Sequence, residues 1–273
     1  MTVTGTSVLV ATDLSPRCDR AVDRAAQLAA EWDVRLKVVH VLDEAPKGEV
    51  SARLTEDAVR ASLPDPDAEA DILLPTGSPP ATIAATAEEQ GSGVIVTGVA
   101  RFNDMRDYVL GTAVDYIIRH ASVPVLVVKQ RPRAPYRTLL VATDLSDMSR
   151  AALVHAAALF PDAALHLVHA AQLPFETWLD SEQARIELQA DAKHKLARFL
   201  EHPNVPQEVR DRVQLRIGYG EVATVLDEAL AETGADLLVI GTEGASGLRQ
   251  ATLGSTTASL LAWVPQDTLV VRD

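Results

Sequence analysis

The sequence is poor in cysteine and in lysine. It contains one cysteine, Cys18, and only five lysines among its 25 basic residues. A single thiol cannot form an internal disulfide or a zinc site. The 38 acidic residues leave a formal net charge of −13, and the basic residues form no cluster. Because binding to phosphate backbones needs clustered Lys and Arg, the composition argues against nucleic acid or an anionic membrane as a partner.

Long apolar runs and secretory signals are also missing. No apolar stretch approaches the ~18 residues needed to span a bilayer. The first 15 residues contain no basic segment followed by an apolar one, which argues against a signal peptide. Together with the single thiol, these absences predict a soluble protein of the reducing cytoplasm.

The chain is a tandem repeat. "SVLVATDLS" at Ser7–Ser15 returns as "TLLVATDLS" at Thr138–Ser146, an offset of 131 residues, and "VVHV" of the first half returns as "LVHA" in the second. A period this long makes each copy a whole domain. The polar, proline-containing stretch Lys129–Arg137 is typical of a linker. We therefore predict two domains, residues 1–132 and 133–273.

Each half alternates short apolar strands with amphipathic helices. This pattern predicts an α/β fold with two doubly wound, five-stranded parallel sheets of strand order 3-2-1-4-5. The first helix is expected to start at Pro16 after a Ser15 cap. In such a sheet the ligand crevice lies at the carboxyl ends of strands one and four, where the strand order reverses. The sequence therefore directs attention to the loops at that edge.

The loop after strand four of the second half is rich in glycine. It reads "GTEGASGLRQATLGSTT" from Gly241 to Thr257. Glycines allow positive φ and close approach to a ligand, and Gly254 opens a helix whose first residues carry hydroxyls. Helix N-termini offer unpaired N–H groups and partial positive charge, so this arrangement predicts a phosphate site. The alternative is that the glycines simply turn and the hydroxyls simply cap the helix.

Other nucleotide and catalytic signatures are absent. The chain has no G-x-x-x-x-G-K-[ST] run, which excludes a P-loop NTPase. "ATDLSPR" and "ATDLSDM", which follow strand one in the two halves, contain no glycine. They therefore lack both the dinucleotide fingerprint and the Ser-Gly-Gly-x-Asp-Ser loop of an ATP-cleaving superfamily. No nucleophile–base pair is evident from spacing, so the sequence does not support catalysis.

The second half resembles the universal stress protein family. The spacing Gly-x2-Gly-x9-Gly-Ser matches that family's nucleotide-binding signature, and "LLVATDLS", "LVHA" and the terminal "TLVV" are similar to it as well. The resemblance covers nearly the whole chain twice. It implies ATP, with or without Mg²⁺ or Mn²⁺, with the base near strands one and two and the phosphates on the glycine loop. By position it implies these ligand-binding residues: Ala142, Thr143, Asp144, Ala170, Gly241, Gly244, Gly254, Ser255, Thr256 and Thr257.

The resemblance also implies a role and an assembly. The role is a regulator of the stress response that binds nucleotide without turning it over. In the family, domains pair through their fifth strands, here Val125–Val128 and Leu269–Val271, so the two halves would replace a homodimer. Two alternatives remain open: a slow ATPase or autophosphorylating enzyme that uses Ser255 or Thr256, and a nucleotide-free interaction scaffold. A dimer of whole chains is compatible with the sequence.

The first half departs from the signature. Its loop keeps Gly98, Gly111 and Thr112 at the family's spacing, but Arg101 stands where the second glycine is expected. A side chain there would crowd phosphates; in the alternative interpretation, its guanidinium binds one. Because Ala11–Asp13 persists, an altered pocket can remain. We predict one intact nucleotide site, in the C-terminal half.

Four further residues have ordinary structural explanations beside functional ones. Glu243 would repel phosphate unless a divalent cation bridges them, and Arg249 could balance phosphate charge or simply be solvated. His40 and His169 occupy matching positions at the ends of the second strands. We expect both histidines to be packed or hydrogen-bonded rather than catalytic.

Overall fold

The structure is a computed structural model. It describes residues 7–45, 48–99, 101–104, 107–109, 111–171, 182–242 and 253–272, without the side chains of residues 101–109 and 182–188. The elements of the N-terminal half are β1 Ser7–Ala11, α1 Asp19–Trp32, β2 Arg35–Val39, α2 Glu49–Ala61, β3 Ala70–Leu73, α3 Pro79–Glu89, β4 Val94–Gly98, β5 Arg101–Asp104, β6 Asp107–Val109, α4 Thr112–His120 and β7 Val125–Val128. Those of the C-terminal half are β8 Thr138–Thr143, α5 Asp147–Leu159, β9 Ala164–Ala171, α6 Glu182–Leu200, α7 Gln207–Arg212, β10 Val213–Tyr219, α8 Val222–Thr233, β11 Leu237–Gly241, α9 Ser255–Trp263 and β12 Asp267–Val271.

The two halves share one ten-stranded sheet, in the order β10-β9-β8-β11-β12-β7-β4-β1-β2-β3. Within each half the strands are parallel and follow the predicted order 3-2-1-4-5, so the predicted fold class is confirmed. The halves meet where β7 pairs antiparallel with β12, with Leu126 opposite Leu269. We call this contact the seam. It joins the two predicted sheets into a single one.

Helices cover both faces of the sheet, so successive side chains of each strand point alternately into two apolar cores. One core packs Val8, Val10 and their equivalents against α1, α2, α5 and α6. The other packs Leu9, Ile95 and their equivalents against α3, α4, α8 and α9. Each core runs through both halves, because β7 and β12 contribute to both faces. Strands buried on both faces explain why they appear as near-continuous apolar runs in the sequence.

The first helices of the two halves begin differently. In the C-terminal half Ser146 caps α5, its side chain accepting from the backbone N–H of Ser149 at 3.2 Å. In the N-terminal half the predicted Ser15 cap is wrong, because α1 begins at Asp19 after a turn in which the N–H of Cys18 donates to the Ser15 carbonyl. Pro16 therefore lies before the helix rather than in its first turn. The short β5–β6 hairpin and α7 were also not predicted.

A buried polar network closes one end of the seam. Asp267, 1% exposed, accepts hydrogen bonds through Oδ1 from the backbone N–H groups of Lys129 (2.7 Å) and Gln130 (2.8 Å). Its Oδ2 accepts from the Tyr136 hydroxyl and lies 3.6 Å from Nε of Arg24. The linker between the halves is therefore held to the start of β12 by several hydrogen bonds to one carboxylate.

Lys129 contributes its side chain to the same end of the seam. It is 1% exposed, and its Nζ donates to the Val264 carbonyl at 2.7 Å. Burial lowers the pKa of Lys129 to about 7, although the nearby carboxylate of Asp267 favours the charged form. Among the described helices, none combines the length and the apolar character required to span a bilayer.

Candidate functional site

The turn after β8 is built by its own side chains. Thr143 is buried, and its Oγ1 accepts from the backbone N–H of Leu145 at 2.9 Å and lies 2.8 Å from Oγ of Ser149. Leu145 adopts φ 68°, in the left-handed region that non-glycine residues rarely occupy. The hydroxyl of Thr143 thus stabilises a strained turn, which assigns that side chain to the scaffold of the site.

Asp144 is the exposed residue of this turn. Its Oδ1 accepts from the backbone N–H of Ser146 at 3.1 Å, which holds the carboxylate at the carboxyl edge of the sheet. The N-terminal half repeats the arrangement: Leu14 has φ 61° and its N–H donates to Oγ1 of Thr12 at 3.0 Å. The sequence analysis did not predict the left-handed backbone of Leu14 and Leu145. The identical Thr-Asp-Leu-Ser of both halves is the pattern that could have indicated it.

Two small residues, Ala142 on β8 and Ala170 on β9, lie near the carboxyl ends of neighbouring strands. Ala170 and Ala142 are both half-buried and pack on the core face covered by α8 and α9. His169 precedes Ala170 on β9, opposite Thr143 of β8 and Ile217 of β10, and its Nδ1 donates to the Thr143 carbonyl at 2.9 Å. This contact makes His169 a hydrogen-bonded residue of the sheet edge, as expected, and His40 makes the equivalent contact to Thr12 at 3.0 Å.

Gly241, at the end of β11, is required for packing rather than for positive φ. A Cβ there would lie 2.7 Å from Cγ of Met148 and 3.4 Å from that residue's backbone carbonyl. The residue does not have positive φ, and Gly254 has φ −54°. The expectation of positive φ at Gly241 is therefore wrong, whereas Gly254 opens α9 as predicted. Gly241 lets α5 approach the strand, as close helix–strand packing elsewhere requires glycine.

The glycine loop leaves and returns at one point of the edge. The N–H of Gly254 donates to the Thr242 carbonyl at 3.1 Å, and the N–H of Thr242 donates to the Val271 carbonyl at 3.0 Å. Thr257 is buried, and its hydroxyl donates to the Gly241 carbonyl at 2.9 Å. The start of α9 is thereby tied directly to β11, beside the end of β8, which pairs with β11.

Ser255 and Thr256 remain exposed in the first turn of α9, where Gly254 provides no side-chain cap. The first N–H groups of a helix have no partner within the helix and carry partial positive charge. The carboxyl edge of the sheet therefore carries the exposed hydroxyls of Ser255 and Thr256 and the N-terminus of α9. Asp144 and Ala170 lie at the ends of strands at the same edge. Gly244, Glu243 and Arg249 lie outside the described residues.

The equivalent edge of the N-terminal half carries a thiol. Sγ of Cys18 donates to Oδ1 of Asp13 at 3.1 Å, and burial raises the pKa of the Cys18 thiol to about 11. Partial burial opposes ionisation of Asp13, but hydrogen bonds from Ser15 and Cys18 and the charge of Arg17 leave its pKa lowered overall. Cys18 is therefore a neutral hydrogen-bond donor at neutral pH. In the described part of the chain no three His, Cys, Asp or Glu side chains are grouped to hold a metal ion.

The fold and this edge define a class of protein: paired α/β domains of order 3-2-1-4-5, each with a glycine-opened helix at the carboxyl edge. Comparison with protein families makes the identification specific. Residues 6–129 and 135–272 both match the universal stress protein family. The chain belongs to that family, and contains two copies of its domain.

Individual relatives agree with this assignment. A protein of Staphylococcus haemolyticus named as a universal stress protein is 28% identical over 142 residues, 45% of this chain and 84% of that protein. A structure described as a universal stress protein from Pseudomonas aeruginosa UCBPP-PA14 has a TM-score of 0.68 at 21% identity and covers 99% of this chain and 94% of its own. One from Archaeoglobus fulgidus DSM 4304 has a TM-score of 0.67 at 19% identity and covers 98% of both chains. At these identities the two structures support the fold alone.

Proposed function

We propose that the C-terminal half binds an adenine nucleotide, ATP, and that the protein acts as a non-catalytic regulator of the stress response. The observation that carries the proposal is the meeting of two features at one edge of the sheet. The uncapped first turn of α9, with exposed Ser255 and Thr256, is tied to β11 beside the turn that exposes Asp144.

The residues present fit such a ligand. Ala142 and Ala170 are small and half-buried, which leaves space for a flat base on the face covered by α8 and α9. The carboxylate of Asp144 can accept hydrogen bonds from a ribose or an adenine amine. Backbone N–H groups and hydroxyls at the start of α9 can receive phosphate oxygens, and Gly254 and Gly244 would keep side chains away from them.

The family and the local chemistry support binding rather than turnover. His169 engages the Thr143 carbonyl through Nδ1, and Thr257 donates its hydroxyl to Gly241. Both side chains are thereby part of the scaffold of the edge. Incubation of the purified protein with γ-labelled ATP tests the point: we expect no phosphate release above buffer and no labelled protein. Label on Ser255 or Thr256 would instead establish autophosphorylation.

The binding proposal is tested by denaturing the purified chain and identifying the released small molecules by mass spectrometry. We expect ATP or ADP at about one per chain. A Gly254→Asp variant should lose it, because a carboxylate would face the phosphates. Gly254 has φ −54° and ψ 140°, which any residue can adopt, and Asp is a good N-cap, so the variant should fold.

Gly111→Asp is the matched control. Gly111 opens α4 of the N-terminal half with nearly the same backbone angles, φ −66° and ψ 152°. We expect this variant to retain the nucleotide of the C-terminal half. Retention of nucleotide by Gly254→Asp, or absence of nucleotide together with no thermal shift on added ATP, would contradict the proposal.

A further inference from the structure

A cavity lies beside the linker, at the end of the seam that carries the buried polar network. It has a volume of about 840 Å³ and is bounded by α1, the linker and the residues that precede β12. This volume is within the range of ligand pockets, about 300–1,000 Å³. We call it the linker pocket. None of its lining residues belongs to the edge proposed to bind nucleotide.

Part of the charge in the linker pocket is already used by the fold. Asp236 accepts from two backbone N–H groups, at 2.8 and 3.2 Å, and Asp267 is the carboxylate at the centre of the buried network. Nη1 of Arg20 donates to the Lys129 carbonyl at 2.6 Å. These three side chains hold the walls of the pocket together, which leaves its other polar groups to interact with a ligand.

One wall contains a buried donor without an acceptor. Arg24 lines the pocket and is 4% exposed, and its Nη1 donates to the Ala134 carbonyl at 2.9 Å. Its Nε has no hydrogen-bond partner, because Oδ2 of Asp267 lies 3.6 Å away and accepts from Tyr136. A carboxylate oxygen of a ligand would supply the missing acceptor in a charge-assisted hydrogen bond.

The linker and α1 add exposed and half-buried charges of opposite sign. Arg131 and Arg133 belong to the linker and are exposed, whereas Asp19 and Asp23 lie four residues apart on one face of α1. Partial burial and the charge of Asp19 raise the pKa of Asp23, although Arg131 opposes this effect. A cationic group beside the two carboxylates would favour their ionised forms.

An acceptor without a donor lies in the same pocket. Oε1 of Gln266, in the segment before β12, is buried and has no hydrogen-bond partner. An amide oxygen can only accept, and an ammonium group carries three donors. The linker pocket therefore contains an unsatisfied donor and an unsatisfied acceptor, together with carboxylates and guanidinium groups.

The charges of α1 at this pocket are specific to the first half. Counting from the identical "ATDLS" of the two halves, Arg20 and Asp23 correspond to Ala151 and Val154 of α5. The second half therefore lacks these charges at the equivalent positions. The linker pocket is thus a feature of the junction between the halves rather than of the single repeated domain.

We propose that the linker pocket binds a small zwitterion, a molecule with one ammonium and one carboxylate group. The carboxylate would bind at Arg24 and the linker arginines, and the ammonium at Asp19 and Asp23. Four aspartates and four arginines line the pocket, so an ion of one sign would meet repulsion as well as attraction, whereas a zwitterion can pair with both. The proposal does not depend on ATP binding in the C-terminal half.

NMR of the full chain labelled with ¹⁵N-arginine tests the proposal, with 5-aminopentanoate as the probe. Pentanoate and pentylammonium are matched controls, since each has the same chain and one of the two charges. We expect 5-aminopentanoate to shift the Nε–H signal of Arg24. Each control should bind about tenfold more weakly, because one set of charged hydrogen bonds is lost.

Three outcomes would overturn the proposal. An unchanged Arg24 signal at millimolar 5-aminopentanoate would show that the pocket does not take such a ligand. Pentanoate binding as tightly as 5-aminopentanoate would define an anion site, and equally tight binding of pentylammonium would define a cation site.

Two variants separate the two charges of the ligand. Arg133→Gln should weaken binding of 5-aminopentanoate about three- to tenfold and leave that of pentylammonium unchanged. Asp23→Asn should weaken 5-aminopentanoate to a similar extent and leave pentanoate unchanged. Arg272→Gln, at the other end of the seam, is the matched control and should not alter the affinity. Equal losses in all three variants would mean that only the overall charge of the protein is sensed, which contradicts a built site.

Discussion

The two ends of the seam are related by the repeat but are built differently. At one end Lys129, which follows β7, meets Asp267 at the start of β12 inside a buried network. At the other end the equivalent residues are Arg272, which is exposed, and Pro124, which is buried and offers only its carbonyl. One end is therefore a buried polar network, and the other has an aliphatic ring and an exposed cation.

The difference shows what fusion of the halves makes available. In a symmetric homodimer both ends of such a contact would be identical. Here the linker passes over one end, where Tyr136 and the N–H of Gln130 reach Asp267. Covalent connection allows one end to specialise in holding the linker, because the other end is no longer required to match it. Four substitutions test this asymmetry. Three change residues of the buried network, and one changes the exposed residue at the other end.

The largest effect is expected from Asp267→Ala. The substitution leaves Arg24 and Lys129 buried without their carboxylate and orphans the N–H of Gln130. Removing one partner of a buried charge network typically destabilises by about 3–5 kcal/mol. Urea unfolding of the full chain, followed by circular dichroism, should show a lower midpoint by that amount.

Arg272→Ala is the control at the other end of the seam. Its side chain is exposed, so we expect a change within about 0.5 kcal/mol. Equal destabilisation by Asp267→Ala and Arg272→Ala would show that the two ends contribute alike, against the asymmetry described above.

Tyr136→Phe should have an intermediate effect. It removes the hydroxyl that donates to Oδ2 of Asp267 and keeps the ring, which lies 4.1 Å from the guanidinium of Arg24. A hydrogen bond to a charged group contributes about 1.5–3 kcal/mol. The same urea experiment measures the loss, and a double variant with Asp267→Ala should show strong non-additivity. Additive losses would mean that the two groups do not act together.

Lys129→Met tests the buried amine through pH. Because the pKa of Lys129 is about 7 in the folded chain and 10.5 is its ordinary value, the unfolded chain binds more protons between these values. Stability should therefore rise with pH through this window. From pH 7 to 9 the rise attributable to this group is about 2 kcal/mol, at about 1.4 kcal/mol per unit. The variant should show a correspondingly flatter profile in chemical denaturation.

The pH range of 7 to 9 also limits interference from the Cys18 thiol. Its pKa is about 11 in the folded chain and ordinarily 9, so it lowers the stability of the fold with rising pH mainly above pH 9. A Cys18→Ser background provides the check. If Lys129→Met and the parent chain show the same pH profile, the amine of Lys129 does not carry the proposed penalty.

Much of the fold was predictable because it depends on local patterns repeated twice. Two copies of "LVATDLS" and the alternation of apolar runs with helices indicate tandem doubly wound sheets, and the strand order followed. The edge that unites Asp144 with the start of α9 was predictable for the same reason, since carboxyl ends of parallel strands meet. The spacing of the glycines, which matches the family's signature, predicted that a helix begins after Gly254.

Other features depend on partners distant in the sequence. Gly241 is needed because Met148 of another element packs against it, which no loop pattern reveals. The hydroxyl of Thr257 was expected on phosphate, yet it donates to Gly241.

The sequence by itself determined the repeat, the class of sheet and the edge at which the candidate site lies, because strand and helix periodicity and turn motifs act over a few residues. Tertiary structure alone decided the single ten-stranded sheet and the buried carboxylate of Asp267, whose partner Lys129 is 138 residues away. It also decided which hydroxyls are exposed at the edge and which are hydrogen-bonded to the backbone. Such contacts depend on desolvation and close packing between distant segments, and those exist only after the chain has folded.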